Sequence, residues 1–171
     1  SNTFWTCGQF EAKTEKRDIF VYVNFNIDTN PKLRKPCFDY FSKMPWAQHP
    51  DPKTFQEYLA DLSRSNFVVS PPGSGLDCHR TWEALYMGCY PIVLSSTLNP
   101  LYEGLPVVIV HSWEEVTEEL LQKKIEEFKK CDWNFSKIYI PYWFEKVTHL
   151  QHELKKSTTK KDRHGMSQQR D

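Results

Sequence analysis

Gly73, Gly75, Asp77, Cys78, His79, Arg80 and Glu83 stand within one short stretch, FVVSPPGSGLDCHRTWEALYMGCYPIV, spanning residues 67–93. Residues 67–70, ending in Ser70, are apolar enough for an interior parallel strand, and Pro71, Pro72, Gly73 and Gly75 break that strand into a turn where backbone approaches a ligand closely. Asp77 suits a helix N-cap. Arg80 and His79 then add cationic side chains where the helix's own N–H groups and dipole already favour phosphate. The chemistry this implies is anion binding at a strand-to-helix turn. Each residue also has a plainer reading. An arginine at a helix start often just pairs with a carboxylate such as Asp77, and it is the adjacent glycine turn that reverses this preference for Arg80. His79 fits a surface histidine as well as a phosphate donor.

Other chemistries fit these residues less well. A dinucleotide fold needs G-x-G-x-x-G or -A, whereas Cys78 occupies the third glycine position and Ser95 and Ser96 stand about 20 positions on, where an acid is required. No GK[ST] follows the glycines, which disfavours a P-loop. Cys78 and His79 are adjacent, so on a helix they point about 100° apart and form no thiol–imidazole pair by spacing alone. No Asp-x-Asp occurs to bridge a metal, which leaves a metal requirement open.

The order of these motifs resembles the donor-binding core of exostosin-like glycosyltransferases of the family 47 type. The residues that carry the resemblance are Gly73 and Gly75, Arg80, Glu83-Ala84-Leu85 and Gly88-Cys89-Tyr90-Pro91, extended upstream by VYVNFNIDTNPKLR (21–34) and downstream by LYEGLPVVIVHSWEEV (101–116). The resemblance covers about residues 18–130. It implies a two-domain GT-B transferase whose C-terminal Rossmann-like domain holds a nucleoside-diphosphate sugar, UDP-linked by preference, for transfer to a glycan acceptor with inversion. It also turns Glu83, otherwise the solvated side of an apolar helix, into a ribose-hydroxyl acceptor. The Glu-x7-Glu pattern of many retaining GT-B enzymes fails, because Pro91 stands where the second glutamate would be.

The expected donor site is therefore Ser70, Gly73, Gly75, Asp77, His79, Arg80 and Glu83, joined by Asn30 and Arg34 from the loop beyond the first strand, since ligands of open α/β sheets sit outside strand carboxyl ends. Arg34 is the expected second pyrophosphate contact, against a plainer role as a solvated helix charge. Trp113 is core or cap packing, or a wall of the base pocket. No catalytic base is assigned within the chain; the resemblance places it in an N-terminal domain or a partner chain. No permanently bound cofactor is expected.

Length and composition bound the organisation. The 171 residues suit a single core, and 39% apolar with 15% aromatic content is that of a globular chain. Formal charge is zero, so no global field recruits nucleic acid or anionic lipid. No apolar run of about 18 residues marks a membrane segment. The compartment, cytoplasm or Golgi lumen, stays open. Cys7, Cys37, Cys78, Cys89 and Cys131 are odd in number without CxxC spacing, against a disulfide framework or zinc knuckle.

Alternation of element types predicts the fold class: α/β, a Rossmann-like, mainly parallel sheet of four or more strands flanked by helices, one half of a GT-B fold. Strands are expected over 18–24, 67–70, 91–95 and 105–110. Helices are expected from Pro31 to about Ser42, from Asp51 and Pro52 with Phe55, Tyr58, Leu59 and Leu62 on one buried face, from Asp77, from a Ser112–Glu115 capping box to about Lys130, and over 141–155. Residues 44–52 read as a loop. Residues 1–17 read as an N-terminal extension, 18–155 as the donor-binding domain and 156–171 as a disordered polar tail. The main alternative in function is a non-catalytic nucleotide- or glycan-binding interaction module.

Overall fold

The computed structural model of the protein describes residues 17–51 and 54–165. Most of the expected N-terminal extension, Cys7, Pro52 and the end of the tail from residue 166 lie outside the described residues. The chain divides into two compact units, Ser1–Asn134 and Phe135–Asp171.

The first unit is built on five parallel strands. They are β1 (Ile19–Tyr22), β2 (Ala47–Gln48), β3 (Ser65–Val69), β4 (Tyr90–Leu94) and β5 (Val108–Val110), arranged β2-β1-β3-β4-β5. Between them run α1 (Pro31–Phe41), α2 (Phe55–Arg64), α3 (His79–Tyr86) and the short α4 (Asn99–Tyr102), and α5 (Glu118–Lys129) follows the last strand. This is the parallel, helix-flanked sheet that alternating element types dictate.

Helices cover both faces because successive strand residues point to opposite sides. Phe67, Val69 and Ile92 meet Cys37 and Phe41 of α1 and Leu121, Ile125 and Phe128 of α5 on one face. Tyr22 and Val68 meet Leu62 of α2 and Ala84 of α3 on the other. Parallel strands buried on both faces need near-continuous apolar runs, and Phe67, Val68 and Val69 are each fully buried.

Helix starts follow capping chemistry, with three departures from the sequence reading. Pro31 does open α1, and the Asn30 side chain accepts from the Leu33 N–H. However, α2 begins at Phe55 rather than at Asp51 and Pro52, because Thr54 and Glu57 form a reciprocal capping box. Ser112 and Glu115 have the same spacing, yet residues 113–115 close only a 3-10 turn and Ser112 makes no side-chain capping bond; Thr117 caps α5 instead, accepting from Leu120 N–H at 3.2 Å. The cap of α3 is Cys78, in extended conformation, and Asp77 lies one residue outside the helix. The stretch 44–52 is also not wholly loop, since Ala47 and Gln48 pair with Val21 and Tyr22 at the sheet edge.

Gly88 ends α3 at φ 70°, a left-handed conformation that glycine adopts without penalty and that turns the chain into β4. In the second unit α6 runs Ile140–Gly165, taking in the first part of the segment expected to be a disordered tail. Trp143 Nε1 there donates to the Lys137 carbonyl at 2.7 Å. No described helix is long and apolar enough to cross a membrane.

Candidate functional site

The strand order reverses direction between β1 and β3, and at that switch point the loops leaving their carboxyl ends part to form a crevice. A cleft of about 610 Å³ opens there. Asn24, Thr29 and Arg34 line it from the β1 side, Gly73 to Gly75 and Asp77 to Arg80 from the β3 side, and Phe55, Tyr58 and Glu83 from α2 and α3. Parallel pairing of Val21 with Phe67 and Tyr22 with Val68 sets the two loops side by side.

Of the expected site residues, the two from the β1 loop are chiefly braces. Arg34 is only 5% exposed; its Nε donates to the Pro72 carbonyl at 2.9 Å and its Nη1 to the Asn26 carbonyl at 2.7 Å. Burial, and then the charge of Arg80, lower its pKa. Asn30 Nδ2 donates to the Gly73 carbonyl at 2.8 Å while its Oδ1 caps α1. Together they fix the glycine turn to the β1 loop, and of the two only Arg34 reaches the cleft wall.

Ser70 is buried beneath the turn. Its hydroxyl lies 2.9 Å from the Thr81 hydroxyl, tying the end of β3 to α3. Gly73 is buried against Arg34, so its lack of a Cβ permits close approach inside the protein. Gly75 differs: a Cβ there would meet nothing within 4 Å, and its backbone is not left-handed. Nothing among the described residues demands glycine at 75. Asp77 Oδ1 accepts from Cys78 N–H at 2.9 Å and Trp82 Nε1 at 2.8 Å, so this carboxylate orients the helix entry.

Arg80 reaches the cleft with no counter-charge on it among the described residues. It forms no ion pair among the described residues; its Nη1 approaches Cys78 Sγ at 3.6 Å, and its Nε is buried with no hydrogen-bond partner. The Phe25 ring lies 5.7 Å from the Arg34 guanidinium and 5.9 Å from that of Arg80, so one aromatic steadies both cations. His79 is exposed at the first turn of α3 and borders the same cleft. Glu83 faces it from the next turn, with Oε2 accepting the Tyr58 hydroxyl at 2.9 Å.

Tyr58 and Phe55 join the site although helical periodicity assigns them to a core face. Tyr58 does both: its ring contacts the Tyr22 ring at 6.1 Å and its hydroxyl reaches the cleft. Phe55 is 62% exposed and gives the cleft an aromatic wall. Trp113, by contrast, packs in the core, 5.8 Å from the Phe41 ring. Among the described residues no group of three or more His, Cys, Asp or Glu side chains is placed to hold a metal ion.

A cleft at the switch point, an unpaired arginine at a helix start and an open glycine are the parts of an anion site. Comparison with known proteins agrees on the family. A search of curated proteins returns no match. The family model of the RXYLT1 C-terminal domain matches residues 22–167, which takes in the whole cleft. The chain thus belongs to the RXYLT1 C-terminal domain family, within the exostosin-like glycosyltransferases.

Proposed function

We propose that this domain binds a nucleoside-diphosphate sugar, with UDP as the nucleotide, and presents it for transfer to a glycan acceptor. The single observation that carries this reading is Arg80, whose Nε is buried without a partner at the cleft. Nε itself is closed to solvent, so a diphosphate in the cleft would meet the rest of the side chain and supply the missing charge.

The site has an order that suits such a donor. In this reading Glu83 and Tyr58 take the ribose, Arg80 and the Gly75 backbone the diphosphate, and the exposed Phe55 the base. Beyond Asn24 a neighbouring groove of about 820 Å³, bordered by Asn26, Asp28 and Asp51, is where this reading puts the sugar. RXYLT1 is a xylosyltransferase, which makes UDP-xylose the first donor to test.

Transfer breaks the bond between the anomeric carbon and the diphosphate oxygen and forms one to the acceptor oxygen. Negative charge grows on the departing diphosphate, and a preorganised Arg80 stabilises that charge more than the ground state. Arg34 contributes by holding the glycine turn and by its charge close to Arg80. The acceptor proton passes to a general base, which this reading places on a second, N-terminal domain, completing a GT-B enzyme with inversion at the anomeric carbon.

Thermal unfolding with UDP, GDP and ADP tests the reading. Ligand at about 100 times its Kd adds roughly 2.7 kcal/mol. We expect UDP to raise the Tm and Arg80→Ala to abolish the rise; equal, absent shifts with all three nucleotides would overturn it.

A further inference from the structure

We infer that Tyr58 is a specificity-determining residue of the donor site, setting one oxygen of Glu83 so that the other reads a ribose hydroxyl. The inference rests on the nucleotide reading above and assigns a role to a residue of α2, on which neither the glycine turn nor the motif helix lies.

The hydroxyl of Tyr58 donates to Glu83 Oε2 at 2.9 Å across the gap between α2 and α3. Among the described residues no second hydrogen bond reaches the Glu83 carboxylate, and both residues border the cleft. Tyr58 is itself held. Its ring stands 6.1 Å from the Tyr22 ring and 6.1 Å from that of Phe55, and it packs on the cluster formed by Tyr22, Leu62 and Val68. Burial pushes the Tyr58 phenol far above its ordinary range, so at any physiological pH it is a permanent proton donor.

A carboxylate with one oxygen pinned by a rigid donor has lost its rotational freedom before ligand arrives. Its remaining oxygen is an acceptor with a fixed direction. Sites that dedicate a polar group to a substrate hydroxyl reject analogues lacking that hydroxyl far more strongly than apolar pockets reject a missing methylene, because the polar group is left unpaired. Phenylalanine at 58 would keep the ring packing and remove only the pin.

The test is calorimetric binding of UDP, 2′-deoxy-UDP and 3′-deoxy-UDP to the wild type, Tyr58→Phe, Glu83→Gln and the double variant. We expect the wild type to prefer UDP over at least one deoxy analogue. In Tyr58→Phe that preference should fall about tenfold through weaker UDP binding, with affinity for the deoxy analogue unchanged. The double variant should behave as Glu83→Gln alone, since the two residues act through one contact. A preference unchanged in Tyr58→Phe, or additive effects in the double variant, would overturn the role of Tyr58 while leaving UDP binding intact. Absence of UDP binding by the wild type would instead overturn both this role and the nucleotide reading.

Discussion

Arg34 lies so close under Gly73 that a Cβ on residue 73 would stand 3.0 Å from its Nη2. The guanidinium cannot yield freely, because its Nε and Nη1 are engaged by the Pro72 and Asn26 carbonyls. Gly73→Ala should therefore destabilise the domain by about 1 kcal/mol, from strain at the brace rather than from backbone conformation. Gly75→Ala meets no such neighbour and should leave the Tm of the free protein within about 1 °C of wild type while weakening UDP binding. Thermal melts with and without UDP separate the two.

Arg34 and Arg80 should respond very differently to truncation. Arg34→Ala strands two carbonyls and empties a buried space, for a loss of roughly 3 kcal/mol, and Arg34→Lys should recover little because a lysine cannot reproduce the forked geometry. Arg80→Ala gives up only the Phe25 and Cys78 contacts and relieves an unpaired buried Nε, so the unliganded protein should lose far less stability than with Arg34→Ala. Urea denaturation of the three variants measures both effects. Equal destabilisation by Arg34→Ala and Arg80→Ala would contradict the division between brace and ligand.

Alkaline pH should destabilise the domain through its buried phenols. Burial raises Tyr22 from its ordinary 10.0 to about 12, and raises Tyr58 further. A folded-state pKa above the unfolded one means that the folded form holds the proton more tightly. The stabilisation is thus complete below pH 10 and drains away as pH climbs toward 12 for Tyr22. Stability measured from pH 8 to 11.5 should fall above about pH 10, and Tyr22→Phe should make that fall shallower.

Thiol reactivity should report on the cleft. Cys37 and Cys89 are buried and burial raises both pKa values, so neither should react with iodoacetamide until the protein unfolds. Cys131 is exposed and should be labelled first. Cys78 lines the cleft beside Arg80, so saturating UDP should slow its alkylation at least about tenfold and leave Cys131 unaffected. Mass spectrometry of the labelled peptides reads all four sites at once.

The parallel sheet was legible because buried parallel strands are apolar throughout, as residues 67–69 are, and because helices of ordinary length separate them. Strand β2 was not, since Ala47 and Gln48 carry no apolar run and earn their place only by pairing with the edge of β1. The start of α2 was written in Thr54 and Glu57, but Asp51 and Pro52 offer a competing start a few residues earlier. Ser112 shows the limit of the same signal, because the backbone turns extended again at Val116, where ψ is 99°, and a new cap is needed. At the site, glycine spacing and the Arg80 position could be read directly. That Arg34 spends two donors on backbone carbonyls could not, because Pro72 is distant in sequence and only the β1–β3 pairing brings it near. Tyr58 stayed hidden because helical periodicity records where a ring packs and is silent about where its hydroxyl ends.

The two arginines of the cleft come from separate segments, near residues 24–34 and 73–83, that are distant in sequence and brought together by the pairing of strands β1 and β3. Between those strands the chain must first lay down α1, β2 and α2. Closing so long a loop is entropically costly and slow, and nothing compensates until the strands have paired. Neither segment alone contains both the brace and the unpaired arginine, so peptides covering either one should not bind a diphosphate. In refolding, ligand affinity should return with the slowest non-local step, which makes nucleotide binding a clock for completion of the sheet.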